Sequence, residues 1–285
     1  MLVHAKQVSF PFSLKSNWEA FRELLALLTR HRQLTVEMAR RELTDRYLGQ
    51  VLGTFWILGH PLIFLMVYLF VFVFVFKVRL GGTVQLPLDY TTYLLSGLIP
   101  WLGFQESMSK GSTVILANAN LVKQVIFPIE ILPVKGVMTS ILTMVILFVG
   151  LIVYVLISYH SLLWTYLFLP LLMVCQALAM IGISYILSSV GVYFRDLKDF
   201  VQVFSVIGVY LMPAFYLPES VPELLRPLIY LNPFSYMIWC YQDALYFGRL
   251  EHWWAWIAFV GMSLGIFIIG YRTFKTLKTM FGNAL

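Results

Sequence analysis

Residues 34–76 read LTVEMARRELTDRYLGQVLGTFWILGHPLIFLMVYLFVFVFVF, and two unlike halves meet in this stretch near Gly53. In the first half Val36, Ala39, Leu43 and Tyr47 recur at helical spacing. Glu37, Arg41 and Asp45, and likewise Glu42 and Arg46, set opposite charges four residues apart on other faces. That pattern predicts a helix lying on a surface. In the second half residues 53–76 carry no formal charge, and a helix needs about 20 apolar residues to cross a hydrocarbon layer. That pattern predicts a helix crossing a membrane.

The rest of the chain repeats the theme. Of 285 residues, 60% are hydrophobic and 12% charged, and the mean hydropathy is +0.82, outside the range of soluble globular domains. The reading is an all-α polytopic membrane protein. The net charge of +6 lies beside the apolar spans rather than in a basic run or an aromatic-basic platform, which argues against nucleic acid as a partner. Cys175 and Cys240 stand far apart in apolar runs, so neither a disulfide framework nor a metal site is indicated. Charges within the first ~30 residues interrupt any apolar signal-peptide core, so the amino terminus is expected to stay inside.

Taken in order, residues 1–52 are expected to be cytosolic and amphipathic, and 53–285 to form a six-span domain. Ser16 and Glu19 fit a capping box ahead of a face built from Trp18, Phe21, Leu25 and Leu28, with Arg22, Arg30 and Arg32 nearby. This helix suits either lipid head groups or a partner subunit. The spans are expected at about 53–76, 91–116, 132–159, 162–192, 201–217 and 253–271. His60 precedes Pro61 in the first; it either satisfies a carbonyl freed by the kink or is functional. Glu106 and Lys110 in the second either neutralise each other at helical spacing or line a wet conduit beside Gly103, Gly111 and Ser112. Only Tyr159, His160 and Ser161 separate the third and fourth spans, which makes them a hairpin.

Three connections stand out. ANANLVKQVIFPIEILP, 117–133, is too short to span and offers an apolar edge to a cytosolic partner. VYFRDLKDF, 192–200, nearly cancels its own charge and suits a docking turn. Residues 218–250 carry four prolines, so two short helices, 221–231 and 233–247 joined at Asn232-Pro233, fit as a re-entrant or surface-lying pair. Under this topology fourteen Lys and Arg lie inside and four outside, which puts both termini in the cytosol.

No G-x-x-x-x-G-K-[ST] or H-E-x-x-H pattern occurs, and the G-x-S-x-G string at 261–265 lies inside the last expected span rather than on a strand-to-helix elbow, so the chain has no ATPase site and no hydrolase constellation of its own. Aromatics make up 16% of the chain. Most suit packing or lipid, yet rings on one helical stripe, such as Phe55, Tyr68 and Phe72, also suit stacking on sugars that slide past. Trp56 and Trp101 are the further conduit candidates. Arg40, Arg41 and Arg46, at the membrane entrance, either attract an anionic head group or pair with Glu37, Glu42 and Asp45.

The order RELTDRYLGQVLGTFW, GLIPW, NANLVKQVIFPIEILP, YFRDLKDF and PESVPELLRPLIYLNPFSYMI resembles the ABC-2 type permeases, in particular the polysaccharide-export branch for O antigen, capsule and teichoic acid. The resemblance runs from about residue 34 to the end and departs at His60, where Asn or Glu is the family pattern. It implies a half-transporter in the bacterial inner membrane, paired as a homodimer with two copies of a separate ATP-binding subunit that holds ATP and Mg, and no cofactor bound by this chain. It implies a coupling segment with Asn120, Lys123, Val125, Ile126, Phe127, Glu130, Arg195 and Asp196, and an outer gate with Pro218, Glu219, Pro222, Asn232 and Pro233. The implied substrate is a glycan on a polyprenyl diphosphate, its diphosphate met by Arg40, Arg41 and Arg46. An exporter of a drug or small lipophile, and a membrane-embedded glycosyl- or acyltransferase, are the alternatives.

Overall fold

A computed structural model describes residues 29–76, 88–123 and 127–284, with positions 19, 22, 23, 26 and 27. The expected capping box at Ser16, the ring and leucine face of residues 18–28, and Val125 and Ile126 lie outside these residues. Among the described residues every regular element is helical. The long ones are α1 (Arg32–Asp45), α2 (Trp56–Leu69, running on as a π-helix over Phe70–Phe76), α3 (Tyr90–Ala117), α5 (Ile131–Tyr159), α6 (Leu169–Gly191), α7 (Leu197–Gly208), α9 (Pro233–Gln242, with a π turn over Asp243–Phe247) and α10 (Trp253–Leu277). Short α4 (Ala119–Val122), α8 (Arg226–Leu231) and α11 (Phe281–Ala284) fill the connections.

The break expected at Gly53 is present. α1 ends at Asp45, and the turns that follow use left-handed Gly49 (φ 79°) and Gly53 (φ 48°), a conformation that costs glycine little. Beyond it, FVFVFVF has the alternation of a strand, but in hydrocarbon the backbone must satisfy its own hydrogen bonds and it stays helical in a widened form. Among the described residues four helices are long and apolar enough to cross a membrane: Gly53–Val75, Ile131–Tyr159, Trp164–Gly191 and Trp253–Met280. The protein is thus an integral membrane protein by length and composition.

α3 is the centre of the bundle. Residues 91–101 are buried on every side, and the helix packs on α5, α6, α7 and α9. It starts where Asp89 accepts from the Thr92 N–H (3.3 Å) and hydroxyl (2.5 Å). Against α6 it uses small residues. Ser107 and Ser184 hydroxyls are 3.2 Å apart, and a Cβ on Gly191 would stand 2.3 Å from the Ser112 carbonyl oxygen. α6 and α10 approach still closer, since a Cβ on Gly270 would lie 2.1 Å from the Gly182 carbonyl oxygen. The α5–α6 hairpin turns on left-handed His160 (φ 53°).

Three boundaries differ from expectation. α7 begins at Leu197, so Lys198 and Asp199 are helical rather than part of the charged loop. It gives out by Leu211, because Pro213 pushes Met212 into extended backbone (φ −112°, ψ 151°). The helix expected over 221–231 is regular only from Arg226, after a single 3-10 turn at Pro218–Ser220.

Candidate functional site

At the end of the bundle nearest α1, a cavity of about 440 Å³ opens between α1, α2, α3 and α5. Its apolar wall includes Ile57, Pro61, Phe64, Leu102 and Leu147; its polar wall includes Arg46, His60, Gln105, Glu106, Ser109 and Lys110. A smaller hollow of about 270 Å³ adjoins it and shares Arg46, Tyr47 and His60, with Gln50 and Trp56 on its far side.

An ion network ties these elements together. Lys110 Nζ donates to Glu106 (2.8 Å) and to the Thr139 hydroxyl (2.5 Å). Glu42 on α1 reaches Lys135 at 3.3 Å and Lys110 at 3.8 Å, and Arg46 lies 3.5 Å from Glu106. The internal Glu106–Lys110 pairing expected from sequence is therefore formed and enlarged; of the small residues named with it, Gly103 lines the cavity, whereas Gly111 and Ser112 pack against α6. Of the three candidate arginines, Arg41 pairs with Glu37 at 3.2 Å, Arg40 is exposed, and Arg46 alone lines the cavity. Glu42 pairs with lysines rather than with Arg46, because packing α1 on α5 brings Lys135 within its reach.

From the cavity wall a file of rings runs toward the opposite end. Phe64 and Tyr68 have centroids 4.5 Å apart, Tyr68 and Phe72 6.0 Å, Phe72 and Tyr90 5.8 Å, Tyr90 and Tyr93 6.4 Å, and Tyr93 and Tyr246 5.2 Å. Tyr68 and Phe72 are half-buried members of this file. Phe55 is 65% exposed on the outside of the bundle, and Trp56 flanks the smaller hollow. Trp101 is different. It is fully buried, boxed by Phe204 and Phe234 with centroids at 6.2 and 5.3 Å. It is a core residue that a passing polymer does not reach in this arrangement, because α3 is enclosed on all sides there.

Around residues 118–130, Asn118 Nδ2 donates to the Val114 carbonyl (2.7 Å), Asn120 lies in α4 and Lys123 is exposed. Phe127 is half-buried against the second core cluster, which contains Tyr185 and Phe274. Glu130, expected in the coupling segment, is buried: it pairs with Lys278 from the turn after α10, and its carbonyl accepts from the Tyr185 hydroxyl (2.8 Å). Arg195 and Asp196 are exposed in the turn before α7.

At the opposite end, Asn232 Oδ1 caps α9 through the Phe234 N–H (3.1 Å), as the Asn232-Pro233 joint suggests. Pro218 is buried, while Glu219 and Pro222 are exposed, and Arg226 holds the Glu219 and Val221 carbonyls at 3.1 and 3.0 Å. Sequence reasoning missed Asp243, fully buried and met by the His252 N–H (2.9 Å), His252 Nδ1 (2.8 Å) and Trp256 Nε1 (3.0 Å). The signal was there, since Asp243 is the lone charge in an apolar run. Asp89 was missed likewise; Tyr154 donates to it at 2.7 Å, and its N–H donates to the Tyr159 hydroxyl at 2.8 Å.

The profile of the ABC-2 type transporter family matches residues 33–246. An O-antigen export system permease protein RfbA of Klebsiella pneumoniae is 31% identical over 257 residues, covering 88% of this chain and 95% of that protein. A second RfbA from the same species is 30% identical over 256 residues, with the same coverage. An RfbA of Myxococcus xanthus is 27% identical over 229 residues, covering 80% of this chain and 85% of that one. With its central α3, its apolar flanking helices and a match spanning most of its length, the chain belongs to the ABC-2 type transporter family, a family of membrane transport subunits.

Proposed function

We propose that the chain is the permease subunit of an ATP-driven exporter that moves a polyprenyl-diphosphate-linked polysaccharide, O antigen, from cytosol to periplasm. The observation that carries this reading is the likeness to O-antigen export permeases along 88% of the chain. The half-buried rings of Phe64, Tyr68, Phe72 and Tyr90 support it, because faces of rings give many weak contacts to sugars and no tight site that would stall a polymer.

In this reading two copies assemble in the inner membrane with six spans each and both termini cytosolic. α3 and the α7 segment add two crossings to the four apolar helices, α3 being sheltered by its neighbours and α7 finished by the turn after it. The segment 118–130 with Arg195 and Asp196 docks a separate ATPase, present twice, which holds ATP and Mg. Tyr68 and Phe72 touch the glycan, Arg40, Arg41 and Arg46 attract the diphosphate, and residues 218–233 gate the outer face.

Deleting the gene tests the reading: lipid-linked glycan should accumulate inside the cell and surface polysaccharide should vanish, while accumulation of a small lipophile instead would replace it with the small-molecule alternative. Tyr68→Ala or Phe72→Ala should lower surface polysaccharide with ATPase association intact. Normal export by both would remove those rings from the pathway.

A further inference from the structure

The segment 118–130 and the turn before α7 are tied to each other by a third piece of chain, the turn after α10. Glu130 is 6% exposed, a costly place for a carboxylate unless a cation meets it. It stands at the N-cap of α5 yet makes no side-chain cap there. Its carboxylate turns instead to Lys278. The backbone carbonyl of the same residue accepts from the Tyr185 hydroxyl at 2.8 Å, so residue 130 is fixed by α6 and by the tail at once.

Phe281 completes the link. Lys278–Met280 form a single 3-10 turn, in which side chains three apart lie on one side, so Lys278 and Phe281 reach inward together. Phe281 is buried, with its ring centroid 5.6 Å from Phe274 and 6.5 Å from Tyr193 in the turn before α7. Phe274 in turn lies 4.9 Å from Tyr185. The contacts run from Glu130 through Tyr185, Phe274 and Phe281 to Tyr193, with the Lys278 ion pair closing the circuit. Lys275, one turn earlier, pairs with Glu23 instead, and both of those side chains are about half exposed, where an ion pair contributes little.

We infer that Lys278 and Phe281 are positioning residues for energy coupling. They brace the two segments into one body, so that a displacement imposed on either by a cytosolic partner reaches α5, α6, α7 and α10 together. Without Lys278 the Glu130 carboxylate loses its cation and is drawn toward water, taking the start of α5 with it. Without the Phe281 ring, Tyr193 loses its hold on the cluster. The inference rests on the export reading, since it needs an ATPase docked on those segments.

The full chain with its ATPase, in nanodiscs and in cells, tests the brace by separating hydrolysis from export. Lys278→Gln and Phe281→Ala should keep the ATPase bound and its hydrolysis within about twofold of the parent, while surface polysaccharide falls about fivefold or more. Lys278→Arg should export normally. The exchange of Glu130→Lys with Lys278→Glu should export better than either single change, and Lys275→Gln, on the exposed pair, should be silent. Normal export by Lys278→Gln overturns the inference. So does a loss of ATPase binding, hydrolysis or thermal midpoint in step with export, which would make the turn a docking or folding element, and so does an exchange no better than its parts. Deleting the gene keeps the two readings apart: surface polysaccharide that survives deletion removes the export reading and the brace with it, whereas loss on deletion with normal export by Lys278→Gln removes the brace alone.

Discussion

α2 and α3 are neighbours in sequence and opposites in design. α2 has no charge over 53–76, yet only 11% of its most apolar window is buried, and Met66, Phe70 and Phe74 are 60% exposed or more. α3 carries Glu106, Lys110, Gln105 and six serines and threonines from Thr91 to Ser112, yet its first eleven residues from Thr91 are enclosed. In water the apolar helix would be inside. In a bilayer the exterior is as apolar as leucine, so hydropathy marks the helix that can face lipid, and polar groups go where other helices satisfy them. Inside the bundle, Gln176 donates to the Pro100 carbonyl at 2.8 Å and Lys110 to Thr139 at 2.5 Å.

The contrast is breakable. Trp101→Ala, which empties a closed box in α3, should cost about 3–5 kcal/mol, whereas Phe70→Ala on the outside of α2 should cost under ~1 kcal/mol. Unfolding in nanodiscs measures both, and equal costs would mean that α2 is packed rather than lipid-facing. Next in size, Gly191→Ala forces a Cβ to 2.3 Å from the Ser112 carbonyl and should cost about 1–3 kcal/mol. Gly59→Ala in α2 meets the Trp56 ring at 3.4 Å and the Phe55 ring at 3.6 Å, ordinary contacts, and should be close to neutral. A neutral Gly191→Ala would show that α3 and α6 can part freely.

The charge in α3 sharpens the picture further. Glu106→Gln, leaving Lys110 with Thr139 and the more distant Glu42, should destabilise by about 1–2 kcal/mol. Adding Lys110→Met should recover part of that loss, a coupling a double-mutant cycle reads directly. If the two costs simply add, the pair contributes nothing. The smallest effect belongs to Arg41→Ala, within about 0.5 kcal/mol, because the Arg41–Glu37 pair is exposed on both sides. A larger loss would place that face of α1 against something.

What could be read in the sequence follows from the range of the forces involved. The change at Gly53, the hairpin at His160 and the joint at Asn232-Pro233 are set by residues next to one another, and all three are where local chemistry puts them. The start of α7 was misjudged because Lys198 and Asp199 look like loop charges until Leu197 and Val201 are seen to pack inward. The candidate site was half legible. Glu106 with Lys110 and the rings at 68 and 72 follow from helical spacing, but Glu42 with Lys135 joins α1 to α5, and Tyr93 with Tyr246 joins α3 to the end of α9. Only tertiary packing produces such pairs. Trp101 failed as a conduit residue for the same reason: its neighbours come from α7 and α9.

The partners of α3 also impose an order of assembly. When the ribosome has delivered α3, its helpers do not yet exist: Thr139, Gln176, Ser184 and α9 all emerge later. A nascent chain ending after residue 123 therefore offers the insertion machinery a helix with two charges and an unanswered carbonyl, and it should sit at the membrane surface or be held by a chaperone. Glycosylation-site mapping of chains released at 123 and at 191 reads this, with α3 committed to the bilayer only in the longer one. The helix at the middle of the finished protein is, on this account, the one that enters the membrane late, after the chain around it has been made.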